Sequence, residues 1–239
     1  MSRPLAGRTA LVTGASRGIG EATARALAAL GARVLLVARD AERLARLAQD
    51  LGHGALPLAT DLTAPGATEQ LAARVLTALD GAPDIVVHAA GSFPLAAVDA
   101  TTDAEVELAL ALNVAAPMRL TRDLLGAMRA RGSGDVVMIG SVADRTVFPG
   151  NATYAASKHA VRALHETLRM ETRGTGVRAT LVSPAATDTA LWDPHDPDAA
   201  PHLPSRAEML RAADVAEAVA WAVTRPAQID IEEIRLARS

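Results

Sequence analysis

Short apolar runs rich in Val, Leu and Ile alternate along the chain with longer segments whose apolar residues recur at helical spacing. Such alternation predicts repeated strand and helix units and a parallel sheet. Candidate strands fall at Arg8–Thr13, Arg33–Ala38, Ala55–Thr60, Asp84–His88, Asp135–Ile139, Arg178–Ser183 and Glu233–Ala237, with helices between the first six. These runs lack the polar alternation of a half-exposed strand, as expected where helices cover both faces of the sheet. Two of the predicted helices are long, Thr102–Arg131 and Asn151–Arg173. The pattern predicts an α/β fold: one doubly wound parallel sheet of about seven strands in a single domain over 1–239.

One stretch breaks the pattern. From Trp192 to Pro204 four prolines, Pro194, Pro197, Pro201 and Pro204, interrupt any regular element. Proline fixes φ and removes a donor, so this region reads as a loop, with a substrate lid expected at about 188–211. A solvent-exposed insertion without a role is the plain alternative. The longest apolar stretch, Ile85 to Val98, is broken by His88, Gly91 and Pro94 and is too short to span a bilayer, so no membrane helix is expected.

Composition narrows the chemistry. Half of the 239 residues are apolar, enough for a sizeable core. The formal charge of −3 mixes both signs with no basic stripe, which argues against a nucleic-acid partner. With no cysteine, disulfides, thiolate zinc sites and cysteine nucleophiles are excluded. The six histidines are scattered without HxxxH or HExxH pairing, so no metal site is expected either. Met1 to Leu5 carries no signal-like pattern, and together with the absence of cysteine this reads as a cytoplasmic protein.

After the first predicted strand comes Thr13-Gly14-Ala15-Ser16-Arg17-Gly18-Ile19-Gly20, then a strongly helical segment. Glycines permit positive φ and close approach of the backbone to a ligand, and a helix N-terminus offers unpaired N–H groups to a pyrophosphate. An ordinary tight turn remains the alternative for this motif alone. Farther along, Tyr154-Ala155-Ala156-Ser157-Lys158 places a phenol and an ammonium four residues apart, on one helical face. Tyr154 is the chain's only tyrosine. Its ordinary pKa, about 10, makes it a poor base at neutral pH, and a neighbouring cation is expected to pull it down.

The TGxxxGxG spacing, with Ser141 thirteen residues before Tyr154, resembles the short-chain dehydrogenase/reductase family over nearly the whole chain. The resemblance implies a Rossmann-type fold and hydride transfer between a nicotinamide and a carbonyl or alcohol carbon. It implies a catalytic set of Asn113, Ser141, Tyr154 and Lys158, with Asn113 holding a water linked to the lysine. It also implies cofactor contacts from Gly14, Ser16, Arg17, Gly18, Ile19 and Gly20, from Asp61 and Leu62, from Ala90 and Gly91, from Tyr154 and Lys158, and from Pro184, Thr187 and Thr189.

Several positions need their own reading. In the family an acid ending the second strand selects NAD; here that place falls on Ala38, followed by Arg39, and a guanidinium can bind a 2′-phosphate through two parallel charge-assisted bonds. NADPH is therefore expected over NADH, with Arg17 as a second cation, although a shift of one residue would bring Asp40 into the acid's place. Asp61 either approaches the adenine or caps the next helix. His88-Ala89 stands where the family shows two asparagines, so the strand support must differ, and His88 reads as a core histidine bonded to backbone. Ala185 replaces a family glycine, a strain if positive φ is needed there. Thr189 reads equally as a cofactor contact and as a helix cap.

Ser92, Phe93, Ala143, Phe148, Leu191 and Trp192 surround the expected reacting groups and suggest a modest, largely apolar substrate. The ending, Ile229 to Arg238, resembles the branch that oxidises serine or small 3-hydroxy acids, which stands as an alternative substrate class. The helices Thr102–Arg131 and Asn151–Arg173 resemble those with which the family builds dimers and tetramers, which implies a homo-oligomer; alanines on several faces of the second, including Ala156, Ala160 and Ala163, allow close helix packing, part of which its own sheet accounts for. A nucleotide-sensing regulator without turnover is the alternative of another kind; loss of a reacting residue would mark it, and all four are present.

Overall fold

The computed structural model describes residues 3–239; Met1 and Ser2, the first residues of the Met1–Leu5 stretch read for a signal, lie outside the described residues. Seven strands form one sheet: β1 (Thr9–Thr13), β2 (Arg33–Ala38), β3 (Leu56–Ala59), β4 (Ile85–His88), β5 (Gly134–Ile139), β6 (Val177–Pro184) and, last in the chain, β9 (Glu233–Leu236). Their order is β3-β2-β1-β4-β5-β6-β9 and every pairing is parallel, so all carboxyl ends share one edge. The order reverses between β1 and β4, which is where open sheets of this kind place a ligand.

The helices are α1 (Gly18–Ala29), α2 (Ala41–Leu51), α3 (Ala67–Leu79), α4 (Asp103–Ala109), α5 (Ala116–Arg131), α6 (Ala152–Thr172) and α7 (Ala212–Val223). Alternate residues of each strand feed two cores, as the two-residue period of a strand requires. Leu11, Leu35 and Val37 pack with Leu71, Leu120, Leu124 and Leu168 on one face. Ala10, Val34 and Leu36 pack with Leu27, Leu44, Val215 and Val219 on the other.

Two features differ from the sequence pattern. The helix expected over Thr102–Arg131 is interrupted by a π-helical turn at Leu110–Ala115. Its cause is Pro117 near the start of α5, which has no N–H to give the carbonyl four residues back. At its start, Thr102 and Glu105 form a reciprocal cap. The proline-rich stretch is also less irregular than expected. Ala190–His195 forms a 3-10 helix, and β7 (Thr187–Asp188) pairs with β8 (Leu210–Arg211) in a small second sheet. Arg206 ties the segment together, 2.5 Å from Asp188 and 2.7 Å from Asp193. No helix among the described residues is long and apolar enough to cross a membrane.

Candidate active site

The glycine loop leaves β1 at the point of strand reversal. Gly14 has φ +68°, and a side chain there would lie 2.8 Å from the carbonyl of Ala89. Gly18 has φ +58°, and a Cβ at Gly20 would strike the Gly14 carbonyl at 2.2 Å. The loop thus exposes backbone where side chains would stand. Arg17 occupies the N-cap of α1 with extended backbone and no side-chain bond to the first turn. Ser16 is half-buried beside it, and Ile19 packs onto the core beneath. Side-chain-free backbone at an uncapped helix start fits the pyrophosphate of a dinucleotide.

At the end of β2 the register is settled. Ala38 pairs with Ala59 as the last strand residue, Arg39 follows exposed, and Asp40 caps α2 by accepting from the Arg43 N–H at 2.9 Å. The Asp40 carboxylate is engaged at the start of the helix. Asp61 follows β3, but it does not cap α3, whose N-cap is Gly66. Instead it accepts from the Thr63 N–H and hydroxyl, at 3.0 and 2.7 Å; these two bonds, and then the Arg39 charge, hold its carboxyl below the usual range. Leu62 is buried next to it.

Beyond β4, the Thr13 hydroxyl accepts from the N–H groups of Ala89 and Ala90, at 3.1 and 3.2 Å. This supplies the strand support that His88-Ala89 was expected to change. His88 is a buried core residue, but its ring bonds the Thr121 hydroxyl at 2.8 Å rather than backbone. Burial pushes its pKa down to about 4, so it is neutral at physiological pH. Gly91 and Ser92 lie against the π-helical turn. There Asn113 accepts from the Ser92 N–H at 2.8 Å and donates to the Ser92 carbonyl at 3.0 Å and the Ser157 hydroxyl at 2.9 Å. The asparagine side chain is therefore spent on clamping the β4 loop. A cavity of about 10 Å³ between Asn113, His88, Ile139 and Lys158 is near the volume one water needs.

Ser141 follows β5 and opens a 3-10 turn, Val142–Asp144, accepting from the Ala143 N–H at 3.1 Å. Tyr154 and Lys158 stand on the first turns of α6. The lysine is buried, donates to the Ile139 carbonyl at 2.8 Å, and sits 5.5 Å from the centroid of the tyrosine ring. Burial pushes the Tyr154 phenol up to about 12, opposed by a hydrogen bond with Ser141 and reinforced by the Asp144 charge. Burial also pushes Lys158 down to about 8, with Asp144 acting against that fall. Desolvation is the leading influence on both groups, and the phenol is held as an acid.

The remaining expected residues divide by position. Phe93 packs edge-on to the Tyr154 ring at 4.6 Å and to Trp192 at 4.7 Å. Ala143 is buried inside its turn, whereas Phe148 and Leu191 are exposed. Pro184 ends β6, Thr187 donates to the Ala185 carbonyl, and Thr189 both caps Leu191 and stands over Gly18. Ala185 is unstrained, since it is not among the residues with positive φ. His195 was not anticipated: its ring bonds the Phe93 carbonyl at 2.9 Å across a separation of 102 residues, and nothing in the sequence signals that contact. Among the described residues no group of acids and histidines is placed to hold a metal.

A phosphate-ready loop at the reversal of a parallel sheet, with serine, tyrosine and lysine converging on the same edge, defines a dinucleotide-binding oxidoreductase fold. Residues 8–200 match the family "short chain dehydrogenase". An uncharacterized oxidoreductase of Mycobacterium tuberculosis is 39% identical over 234 residues, 95% of this chain and 89% of that one. The glycine betaine reductase of Emericella nidulans is 37% identical over 236 residues, 97% of this chain, which spans only 19% of that protein's length. Among solved structures, a metagenomic short-chain oxidoreductase in complex with NADP is 32% identical with a TM-score of 0.85, covering 99% of both chains. The chain belongs to the short-chain dehydrogenase family, and it is similar to each of these proteins without being any of them.

Proposed function

We propose that the protein is an NADP(H)-dependent oxidoreductase that interconverts a ketone or aldehyde with its alcohol. The observation that carries this reading is the meeting of the Ser141, Tyr154 and Lys158 side chains at the carboxyl edge, with the phenol held protonated. A bound nicotinamide supplies hydride to the carbonyl carbon, or takes it back in oxidation. The chain does the rest. Ser141 and Tyr154 hydrogen-bond the substrate oxygen and polarise the carbonyl. As negative charge grows on that oxygen, the Tyr154 O–H bond breaks and its proton completes the alcohol. Lys158 binds the nicotinamide ribose, and its positive charge stabilises the phenolate left behind. A water in the cavity beside Asn113 would stand next to the lysine as the first member of a proton-return path.

Arg17 and Arg39 support the choice of NADP(H): both are exposed, and neither is in an ion pair among the described residues. The NADP held by the similar metagenomic enzyme points the same way. Phe93 and Trp192, beside the Tyr154 ring, favour a compact apolar substrate, and the segment from Asp188 to Arg211 serves as its lid. Replacing Tyr154 with Phe removes the transferable proton and leaves the glycine loop untouched. Turnover of a panel of ketones, aldehydes, 3-oxoesters and hydroxy acids, followed by NADPH absorbance, is expected to fall about a thousandfold with cofactor binding retained. Full activity in Y154F overturns the reading.

A further inference from the structure

The Tyr154–Lys158 site has a buried carboxylate behind it that the chemistry above does not use. Asp144 is 1% exposed, on the last residue of the 3-10 turn that Ser141 opens. One of its oxygens accepts a short hydrogen bond from the Ser183 hydroxyl on β6 and a longer one, 3.4 Å, from the Ser141 N–H. The other lies 3.5 Å from the Arg145 guanidinium, which in turn pairs with Glu233 on β9. The space is closed: a Cβ at Gly140 would fall 2.8 Å from the Asp144 carboxylate and 2.6 Å from the Ser183 hydroxyl.

We propose that Asp144 is a positioning residue of this active site, a buried carboxylate that pins the Ser141 turn to β6 and sets the charge felt by Tyr154 and Lys158. The proposal rests on reading those two side chains as the reacting pair. Four elements surround the carboxylate. Its own turn brings Arg145, α6 brings Tyr154 and Lys158, and β9 brings Glu233 through Arg145, while β6 contributes only the neutral Ser183. An anion placed there disfavours a second anion on the phenol and favours the ammonium. Both influences have the same sign for function: they keep Tyr154 a proton donor and Lys158 a cation.

Asp144→Asn tests the charge while leaving an oxygen to accept from Ser183 and Ser141. Tyr154 is the only tyrosine in the chain, so the ultraviolet absorbance of tyrosinate, followed against pH with saturating NADP+, reports this one group. Y154F supplies the blank. Losing the carboxylate is expected to move the tyrosinate midpoint to lower pH while the cooperative thermal transition is kept. Asp144→Ala, which adds no unpaired amide N–H, is expected to move it the same way. An unmoved or raised midpoint in folded variants overturns the proposal. So does failure of both variants to fold, which would make Asp144 a structural residue only. The titration needs no turnover, so it is independent of Y154F activity: full turnover in Y154F would refute the function while leaving the charge measurement standing.

Discussion

On the proposed reading, cofactor choice turns on Arg39. β2 ends at Ala38, the next residue is an exposed guanidinium, and the nearest acid, Asp40, is bound to the start of α2. In Arg39→Ala the 2′-phosphate of NADPH loses a charged partner, while NADH, which has no phosphate there, loses nothing. A hydrogen bond to a charged group contributes about 1.5–3 kcal/mol, and solvent exposure argues for the lower end. At about 1.4 kcal/mol per factor of ten, kcat/KM with NADPH is expected to fall about tenfold and that with NADH to stay within about twofold. Removing Arg17 as well, from the N-cap of α1, is expected to bring the loss to about a hundredfold if the two contacts add. The wild-type preference should also weaken as salt screens the exposed charges. The assay is steady-state kinetics with both cofactors on one substrate. If R39A lowers both efficiencies by the same factor, or leaves their ratio unchanged, the assignment of Arg39 to the phosphate fails.

The buried His88 makes stability depend on pH. Its imidazole stays neutral in the fold down to about pH 4, whereas in the unfolded chain it takes a proton near pH 6.5, so stability falls as pH drops through that window. His88→Asn should remove this dependence. In urea unfolding, wild type is expected to lose up to about 3 kcal/mol more than the variant between neutral pH and pH 4, and an equal loss in both refutes the cause. Self-association is expected through α4, the π-helical turn, α5 and α6, which leave Leu108, Leu110, Met118 and Met170 exposed; sedimentation that finds only monomers contradicts it.

The five central strands, β1, β2, β4, β5 and β6, were legible as runs buried on both faces, the edge strands β3 and β9 are partly exposed, and the ends of all seven lie within a residue or so of the pattern. The π-helical turn was missed although its signal was present: Pro117 sits inside the segment read as one helix, and its missing donor forces a change of ladder around Asn113. The β7–β8 pair was not legible at all. Two residues carry no periodicity, and the pairing joins positions on either side of a proline-rich stretch, held by Arg206 through acids that look like solvated surface in sequence.

The reacting residues were legible because their spacing is local, whereas the electrostatics were not, because charge balance belongs to the assembled site. From the sequence, Lys158 and an oxidised nicotinamide are the groups expected to lower the Tyr154 pKa. In the fold, burial acts on both groups at once, and the carboxylate that modulates them comes from a turn ten residues before the tyrosine, fastened by a serine on another strand. The same holds for Asn113. It was read as lying within one long helix, whereas it stands in the π-helical turn, and the Ser92 and Ser157 partners of its side-chain amide lie 21 and 44 residues away. A motif therefore names the groups that act, and the long-range contacts decide their protonation. On that argument, family members with the same Tyr-x-x-x-Lys but a neutral residue at the position of Asp144 should ionise their tyrosine at lower pH.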